Sequence, residues 1–232
     1  MNIFKIFLDL IAPKKCYSCK KEWHFICQNC YKYEVEFNSA CYICKWKTKN
    51  FEVHNWCKKD VYYDKVIILK HYKSKIISKL VKDAKFYNKK EIFEEFSDLI
   101  YDKFLLNHKI IDLNDFVVIS IPSYFIRKIF RWYNSSDIFA RFFSWKSKIT
   151  YYKNIIKKIR YTKQQSKLSK KERIINLKDS FVINPKFIEK IKNKNVIIMD
   201  DVISTWTTLN EISKLLKNNW VKYVIWLIVA SD

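Results

Sequence analysis

The stretch that decides the fold reads Val196-Ile-Ile-Met-Asp200-Asp201-Val-Ile-Ser204-Thr205-Trp206-Thr207-Thr208-Leu209. Its apolar start predicts a buried strand, two acids follow, and a hydroxyl-rich loop leads into residues with helical spacing. Ligands of open α/β sheets bind outside the carboxyl ends of the strands. Paired carboxylates there can accept hydrogen bonds from sugar hydroxyls or hold Mg²⁺ through water. Asp200 and Asp201 are therefore the candidate catalytic residues.

The loop after the acidic pair is a candidate phosphate site. Its backbone N–H groups open a helix, and the helix dipole at that end favours an anion. Side-chain hydroxyls add donors, so the candidate binding residues of the loop are Ser204, Thr205, Trp206, Thr207 and Thr208. The alternative interpretation is a capped helix that follows a strand carrying two solvated acids.

Glycine is absent from all 232 residues, whereas tryptophan occurs 8 times. Glycine makes up about 7% of an average protein and occupies turns and close approaches to ligands. Trp206 lies in the middle of the candidate phosphate loop, where an indole would fill the space of the ligand. We hypothesise that UGA codons read as glycine by the native host appear here as tryptophan, against the alternative of a Trp-rich protein. The hypothesis predicts unusually exposed Trp side chains, several of them in tight turns.

Apolar periodicity predicts an α/β body with a mostly parallel sheet. Helical spacing covers 74–87, 91–106, 135–144 and 207–217, with Ser135 or Ser136 as a candidate cap. Buried strands are predicted at 115–122, 195–199 and 222–229. Polar residues follow the first two of these strands, so a ligand is expected where the carboxyl ends of both strands meet.

Seven cysteines and one histidine form four pairs with a two-residue spacing: Cys16/Cys19, Cys27/Cys30, Cys41/Cys44 and His54/Cys57. That spacing lets both side chains of a pair reach one tetrahedral ion, so the eight ligands suffice for two structural Zn²⁺. The sequence favours 16/19/27/30 on one ion and 41/44/54/57 on the other. The crossed pairing, 16/19/41/44 with 27/30/54/57, stays open.

Composition adds the compartment and the class of partner. No secretory signal or apolar run of about 20 residues is found, so we expect a cytoplasmic protein without a membrane span, whose clustered cysteines bind metal. The net charge of +22 suggests a polyanion such as nucleic acid, although codon bias toward Lys explains it equally well. Arg is scarce, which draws attention to Arg127, Arg131, Arg141, Arg160 and Arg173.

With glycine restored at position 206, residues 196–209 resemble the phosphoribosyl-pyrophosphate signature of the type I phosphoribosyltransferases. The whole chain resembles the ComF family of competence-associated phosphoribosyltransferase-like proteins. Arg127-Lys-Ile-Phe-Arg131-Trp-Tyr133-Asn134 is similar to the family's Arg-Gly-Phe-Asn segment, with Trp132 for Gly. Arg160 to Leu168 and Arg173 to Asn176 are similar to its Thr-x-x-Gln and Arg-x-x-Asn region. Trp220 and Trp226 fall where the closing strand of the family usually has Gly.

The resemblance implies a phosphoribosyltransferase-like sheet with helices on both faces over residues 59–232, preceded by a helix and a double zinc ribbon over 1–58. Asp200 and Asp201 would contact the ribose hydroxyls of phosphoribosyl pyrophosphate bound with Mg²⁺, Ser204–Thr208 the 5′-phosphate, and Ser120–Ser123 the pyrophosphate. Arg127, Arg131, Arg160 and Arg173 would be phosphate or partner contacts. The expected function is phosphoribosyl transfer or ligand binding in DNA uptake; a non-catalytic module for single-stranded DNA or competence proteins is the alternative.

Overall fold

A five-stranded parallel sheet organises the chain in the computed structural model, which describes residues 13–34, 38–106, 113–122, 133–160, 172, 176–177, 179–203 and 206–231. The strands are β1 (Lys65–His71), β2 (Phe116–Ser120), β3 (Thr150–Tyr151), β4 (Ile156–Lys158), β5 (Phe181–Ile183), β6 (Asn195–Ile203) and β7 (Tyr223–Ser231). The helices are α1 (Gln28–Tyr33), α2 (Lys75–Phe86), α3 (Glu91–Leu106), α4 (Ser135–Ser147), α5 (Ile188–Ile191) and α6 (Trp206–Lys217). The parallel sheet has the order β1-β7-β6-β2-β3, while β4 and β5 pair separately as an antiparallel ribbon.

The predicted α/β class is confirmed, and the predicted helices form with small differences at their ends. Two expectations were wrong. The acidic pair does not follow β6 but lies within it, because β7 is long enough to pair with β6 as far as Ile203. Helix α4 has Asn134 rather than a serine at its N-cap. Strand β1 and the β4–β5 pair were not predicted.

The sheet buries both faces, and successive residues of its inner strands alternate between two hydrophobic clusters. On β6, Ile197 and Met199 face one cluster, while Val196 and Ile198 face the other. The first cluster is closed by α2, α3 and α4, and the second by α5 and α6. Helices therefore cover both faces and leave the carboxyl ends of the strands for a ligand.

The ribbon module, meaning the described part of residues 13–57, covers the edge strand β1. Glu52 forms an isolated antiparallel β-bridge with Lys65 of β1, and the Val53 N–H donates to the carbonyl of Asp64 at 2.9 Å. Phe25 and Phe51 join one hydrophobic cluster of the sheet, whereas Val53 joins the other. The module thus shields an edge that would otherwise offer unpaired backbone groups to another chain.

The two Cys-x-x-Cys turns that begin the ribbons, here called knuckles, are copies of one backbone design. Three backbone hydrogen bonds of the first turn recur in the second, in the same order. In the first turn the bonds run from Cys16 N to Lys21 O, from Lys20 N to Cys16 O and from Trp23 N to Lys14 O. In the second they run from Cys41 N to Trp46 O, from Lys45 N to Cys41 O and from Thr48 N to Ser39 O. Lys20 and Lys45 both have a positive φ, of 65° and 64°. Equivalent turns in both copies indicate equivalent roles for the two cysteine pairs.

Most described tryptophans are exposed, as the glycine hypothesis predicts. Exposed indoles occur at Trp23, Trp46, Trp56, Trp145 and Trp220. Trp23 and Trp220 also have left-handed backbone, with φ of 74° and 62°. Two described tryptophans are not exposed: Trp206 is half-buried, and Trp226 is fully buried, with its Nε1–H donating to Ser213 Oγ at 2.9 Å. Trp132 lies outside the described residues.

Trp220 stands where a helix normally ends on glycine. The Val221 N–H donates to Leu216 O at 3.2 Å and the Trp220 N–H donates to Lys217 O at 3.1 Å. This pair of bonds is the Schellman motif, which places a left-handed residue, usually glycine, directly after the helix. Residue 220 is therefore a position at which the backbone itself calls for glycine.

Glu95 holds the first ribbon against α3, and its loss is expected to loosen that ribbon. Its carboxylate accepts hydrogen bonds from the N–H groups of Phe25, at 2.9 and 3.0 Å, and Ile26, at 3.1 Å. Glu95→Ala should lower the free energy of unfolding by about 2 kcal/mol, since hydrogen bonds to a charged group are lost and buried N–H groups stay unpaired. Urea denaturation measures the change. Glu94→Ala is the control, because no hydrogen bond or ion pair to the Glu94 side chain occurs in the described part of the chain; equal losses in both variants would contradict the role of Glu95.

Candidate functional site

The acidic pair lies where β6 extends beyond its neighbour β2. Strand β2 ends at Ser120, opposite Met199, so Asp200 and Asp201 project past it. The space beside them is filled by the start of α4. Ser136 Oγ donates to Asp200 Oδ1 at 2.8 Å, and Ser135 Oγ donates to Asp201 Oδ2. The two serines singled out as caps thus bond the candidate catalytic residues instead.

Lys85 of α2 reaches the same pair from the other side. Its Nζ lies 2.8 Å from Asp201 Oδ1, and both side chains are largely buried. Asp201 Oδ1 also accepts the N–H of Val202 at 2.6 Å, while the Asp201 N–H donates to Asp200 Oδ1 at 2.9 Å. Sequence reasoning missed Lys85, since one lysine among the many carries no signal before the helix is packed.

The electrostatics of the two acids differ because only one has a cation beside it. Burial and the nearby charge of Asp201 raise the pKa of Asp200 to about 7, although Ser136 and Lys85 oppose the shift. A ligand hydroxyl or cation that bonds the Asp200 carboxylate would favour its ionised form and lower this pKa.

A cavity of about 220 Å³ adjoins the end of β2, where the resemblance places the pyrophosphate loop. It is lined by Ser120, Pro122, Tyr133, Asn134, Asp137, Lys153, Asn154 and Ile156. Asp137 accepts a hydrogen bond from Tyr151 and pairs with Lys153 Nζ at 3.4 Å and Arg141 Nε at 3.5 Å. Of these two cations only Lys153 lines the cavity, so the two charged lining residues, Asp137 and Lys153, balance each other.

The remaining predicted site residues are only partly described. Trp206, Thr207 and Thr208 form the first turn of α6, directly after the acidic strand. Arg160 does not reach the acidic pair in any described contact; its Nη2 donates to the Asn176 carbonyl at 3.2 Å, beside the β4–β5 ribbon. Ser123, Arg127, Arg131, Arg173, Ser204 and Thr205 lie outside the described residues.

The eight cysteine and histidine side chains form two four-residue groups, 16/19/27/30 and 41/44/54/57, with ligand atoms within 4.8 Å of one another. The side chains group in the sequential pairing that the sequence favours, and not in the crossed pairing that it leaves open, because each ribbon closes on itself. Cys19 Sγ and Cys27 Sγ are 3.6 Å apart, close to the ~3.8 Å edge of a tetrahedron with Zn–S bonds of about 2.3 Å. The sulfur-rich donor sets and their spacing fit Zn²⁺.

The surroundings of the ligands also suit a metal. Burial raises the pKa of the Cys16 thiol. The backbone N–H donors of Cys27, Cys19 and Ser18 together lower it by more, so the pKa is about 6. His54 Nδ1 lies 3.2 Å from Cys44 Sγ, and its Nε2 lies 3.2 Å from the Lys47 carbonyl. Metal-bound histidines usually donate their second N–H to such an acceptor, which sets the tautomer.

The chain is 30% identical over 220 residues to competence protein F of Haemophilus influenzae, a match that covers 91% of this chain and 95% of that protein. The chain belongs to the competence protein F family. This is the ComF family indicated by the sequence motifs, and the α/β class predicted with it, a parallel sheet with helices on both faces behind a cysteine-rich module, is confirmed. No family model matches the chain.

Similar solved structures include two from nucleotide metabolism. One is the allosteric regulatory enzyme of purine biosynthesis, with 16% identity over 64% of this chain and a TM-score of 0.40; this chain spans only 30% of its length. The other is a purine phosphoribosyltransferase from Pyrococcus horikoshii, with 13% identity over 72% of this chain and 87% of that chain and a TM-score of 0.27. Among the described helices of the ComF-family chain, none has the length and hydropathy of a membrane span.

Proposed function

We propose that the chain binds phosphoribosyl pyrophosphate with Mg²⁺ at the carboxyl end of β6 and acts in DNA uptake during natural transformation. The observation that carries the proposal is the placement of Asp200 and Asp201 near the carboxyl end of the central strand, the strand that precedes α6 in the chain. Carboxylates there suit ribose hydroxyls, and the helix start suits the 5′-phosphate. Membership of the competence protein F family supports the proposed role in DNA uptake.

The other parts of the site have matching roles in this proposal. Ser204–Thr208 bind the 5′-phosphate, the cavity beside Ser120 receives the pyrophosphate, and Arg127, Arg131, Arg160 and Arg173 are phosphate or partner contacts. Mg²⁺, when bound, would neutralise charge on the leaving pyrophosphate. The protein contributes by positioning the sugar and by stabilising the cation-like transition state at C1, from which pyrophosphate departs. The two ribbon groups hold structural Zn²⁺ and no reacting atom.

A second candidate function is a non-catalytic module for single-stranded DNA or competence proteins. The net charge of +22 favours it, because cationic proteins bind nucleic acid by releasing counterions. The affinity would then fall steeply with salt concentration. The two functions are compatible if the sugar phosphate and the DNA occupy separate sites.

Replacing both acids, Asp200→Asn with Asp201→Asn, is expected to abolish binding of phosphoribosyl pyrophosphate and to spare single-stranded DNA. The change removes the acceptors for the ribose hydroxyls, at a cost of about 3 kcal/mol or more than a hundredfold in Kd. Isothermal titration with Mg²⁺ present measures the first affinity, and fluorescence anisotropy of a labelled oligonucleotide the second. Both the parent chain and its Trp206→Gly variant serve as backgrounds.

The matched control is Asp98→Asn with Asp102→Asn, which removes the same charge from the exposed face of α3. The control should leave the Kd for phosphoribosyl pyrophosphate and the Kd for DNA within about twofold of the parent values. A tenfold change in Kd would correspond to about 1.4 kcal/mol. Failure of both backgrounds to bind phosphoribosyl pyrophosphate would overturn the proposed function. Equal loss of DNA binding in the acidic-pair variant, but not in the control, would show that the two sites are one.

A further inference from the structure

A hydrogen-bonded chain of three side chains ends at the cavity beside β2. The Oγ atom of Ser120, the last residue of β2, lies 2.9 Å from the hydroxyl oxygen of Tyr151 on the neighbouring strand β3. The Tyr151 hydroxyl in turn donates to Oδ1 of Asp137, in the first turn of α4. Ser120 and Asp137 line the cavity and are almost completely buried. Three elements therefore meet at one wall of the cavity.

The Asp137 end of this chain fixes the direction of its protons. Asp137 is the acceptor, because its other oxygen, Oδ2, is paired with Lys153 Nζ at 3.4 Å and Arg141 Nε at 3.5 Å. The single hydroxyl proton of Tyr151 is directed to Asp137. Burial and the hydrogen bond to Asp137 raise the pKa of Tyr151, so this proton is retained at neutral pH. The contact between Ser120 and Tyr151 must then use the proton of Ser120.

Ser120 consequently presents only an acceptor to the cavity. A serine hydroxyl has one proton and two lone pairs, and the proton is already directed to Tyr151. Asp137, in the same wall, is a carboxylate and also only accepts. Lys153 is the one cation among the described lining residues, and it is shared with Asp137. A bare phosphate oxygen, itself an acceptor, finds no donor at Ser120 or Asp137.

We infer that Tyr151 is a positioning residue that holds Ser120 as an acceptor, so that this wall binds a hydrogen-bond donor of the ligand and not a bare phosphate oxygen. The inference rests on the proposed function and refines it, because the resemblance places pyrophosphate beside Ser120 without giving the direction of any hydrogen bond. In the proposed ligand the donors are water molecules of Mg²⁺, since this ion keeps several waters when it binds phosphates. The acceptors Ser120 and Asp137 fit such a hydrated ion.

Tyr151→Phe is the deciding variant, because it deletes the acceptor of the Ser120 proton and keeps the aromatic ring. The Ser120 hydroxyl can then donate to a phosphate oxygen. The affinity for phosphoribosyl pyrophosphate without Mg²⁺ should therefore rise by about tenfold, the effect of one hydrogen bond to a charged group. Isothermal titration with and without Mg²⁺ measures both Kd values. The Mg²⁺-free buffer contains no chelator, so the ribbons keep their zinc.

Ser120→Ala should have the opposite dependence on the metal. It removes the acceptor for metal-bound water, so binding with Mg²⁺ should weaken by about five- to tenfold while Mg²⁺-free binding stays the same. The double variant Tyr151→Phe with Ser120→Ala should match Ser120→Ala, since no serine proton is left to redirect. This coupling separates a tyrosine that acts through Ser120 from one that only stabilises the fold.

Tyr62→Phe is the matched control, because Tyr62 is exposed and its hydroxyl makes no hydrogen bond within the described part of the chain. It should leave both Kd values unchanged. Urea unfolding of every variant identifies losses of affinity that come from instability alone. All variants are made in the parent chain and in the Trp206→Gly background.

Two outcomes overturn the inference. A folded Tyr151→Phe variant without any gain in Mg²⁺-free affinity would show that the tyrosine does not direct the Ser120 proton. Equal losses in Ser120→Ala with and without Mg²⁺ would show that the serine donates to the phosphate itself. If neither the parent nor Trp206→Gly binds the ligand with Mg²⁺ present, the proposed function fails and the inference with it, so the two failures are distinguishable.

Discussion

Removing zinc is expected to abolish the native fold of the ribbon module and to destabilise the whole chain. Cys41 is fully buried and Cys57 nearly so, and both belong to one of the two hydrophobic clusters of the sheet. Without the ion, three thiols or thiolates and the His54 imidazole would face one another beside that cluster. Structural zinc contributes roughly 10–16 kcal/mol in isolated zinc-finger peptides, which is comparable to the entire stability of a domain.

Two measurements test the zinc prediction. Elemental analysis of the purified protein should find two zinc ions per chain, and Cys41→Ser should reduce this to one. Addition of a chelator should lower the midpoint of thermal unfolding by more than about 10 °C, given that 1 kcal/mol corresponds to about 2–4 °C for a chain of this size. His24→Ala is the control, because His24 is exposed and outside both ligand groups. A metal-free protein with unchanged stability would contradict the prediction.

Trp206→Gly is expected to increase the affinity for phosphoribosyl pyrophosphate by roughly two orders of magnitude, or about 2.8 kcal/mol. Residue 206 is the first residue of α6, where backbone N–H groups point along the helix axis toward an anion. A phosphate can approach these groups closely only if no side chain intervenes, and glycine is the residue that permits it. Titration of both chains with the ligand and Mg²⁺ measures the difference.

Trp220→Gly is the matched control for this effect. Its left-handed backbone and 73% exposure make it a second glycine-like position, but it lies at the opposite end of α6. Relief of the left-handed strain should raise the free energy of unfolding by about 1 kcal/mol and leave ligand affinity unchanged. An equal gain in affinity at both positions would show that the effect comes from stability and not from the phosphate loop.

Peptide mass spectrometry of the protein from its native host tests the codon hypothesis behind both variants. We expect glycine at 206 and 132, and also at 220. Trp226 is buried in the core and hydrogen-bonded to Ser213, so we expect tryptophan there, encoded by UGG. Tryptophan at both 206 and 132 would refute the hypothesis and favour the binding-module function.

The sequence by itself was sufficient for the features that depend on local pattern. The helix over 91–106 and the α/β class followed from apolar periodicity, since one face of each element must be buried. The eight candidate metal ligands followed from their two-residue spacing. The family followed from the 196–209 stretch together with the cysteine pairs, because those residue types in that order are specific.

Tertiary structure decided everything that depends on distance between elements. It selected the sequential ribbon pairing, since only folding brings particular pairs together. It also placed Lys85 of α2 and the first serines of α4 beside Asp200 and Asp201, which no periodicity could have indicated. The pair looks symmetrical as a sequence, but packing pairs only Asp201 with a buried counter-ion. That asymmetry arises because α2 lies against the sheet within reach of Asp201.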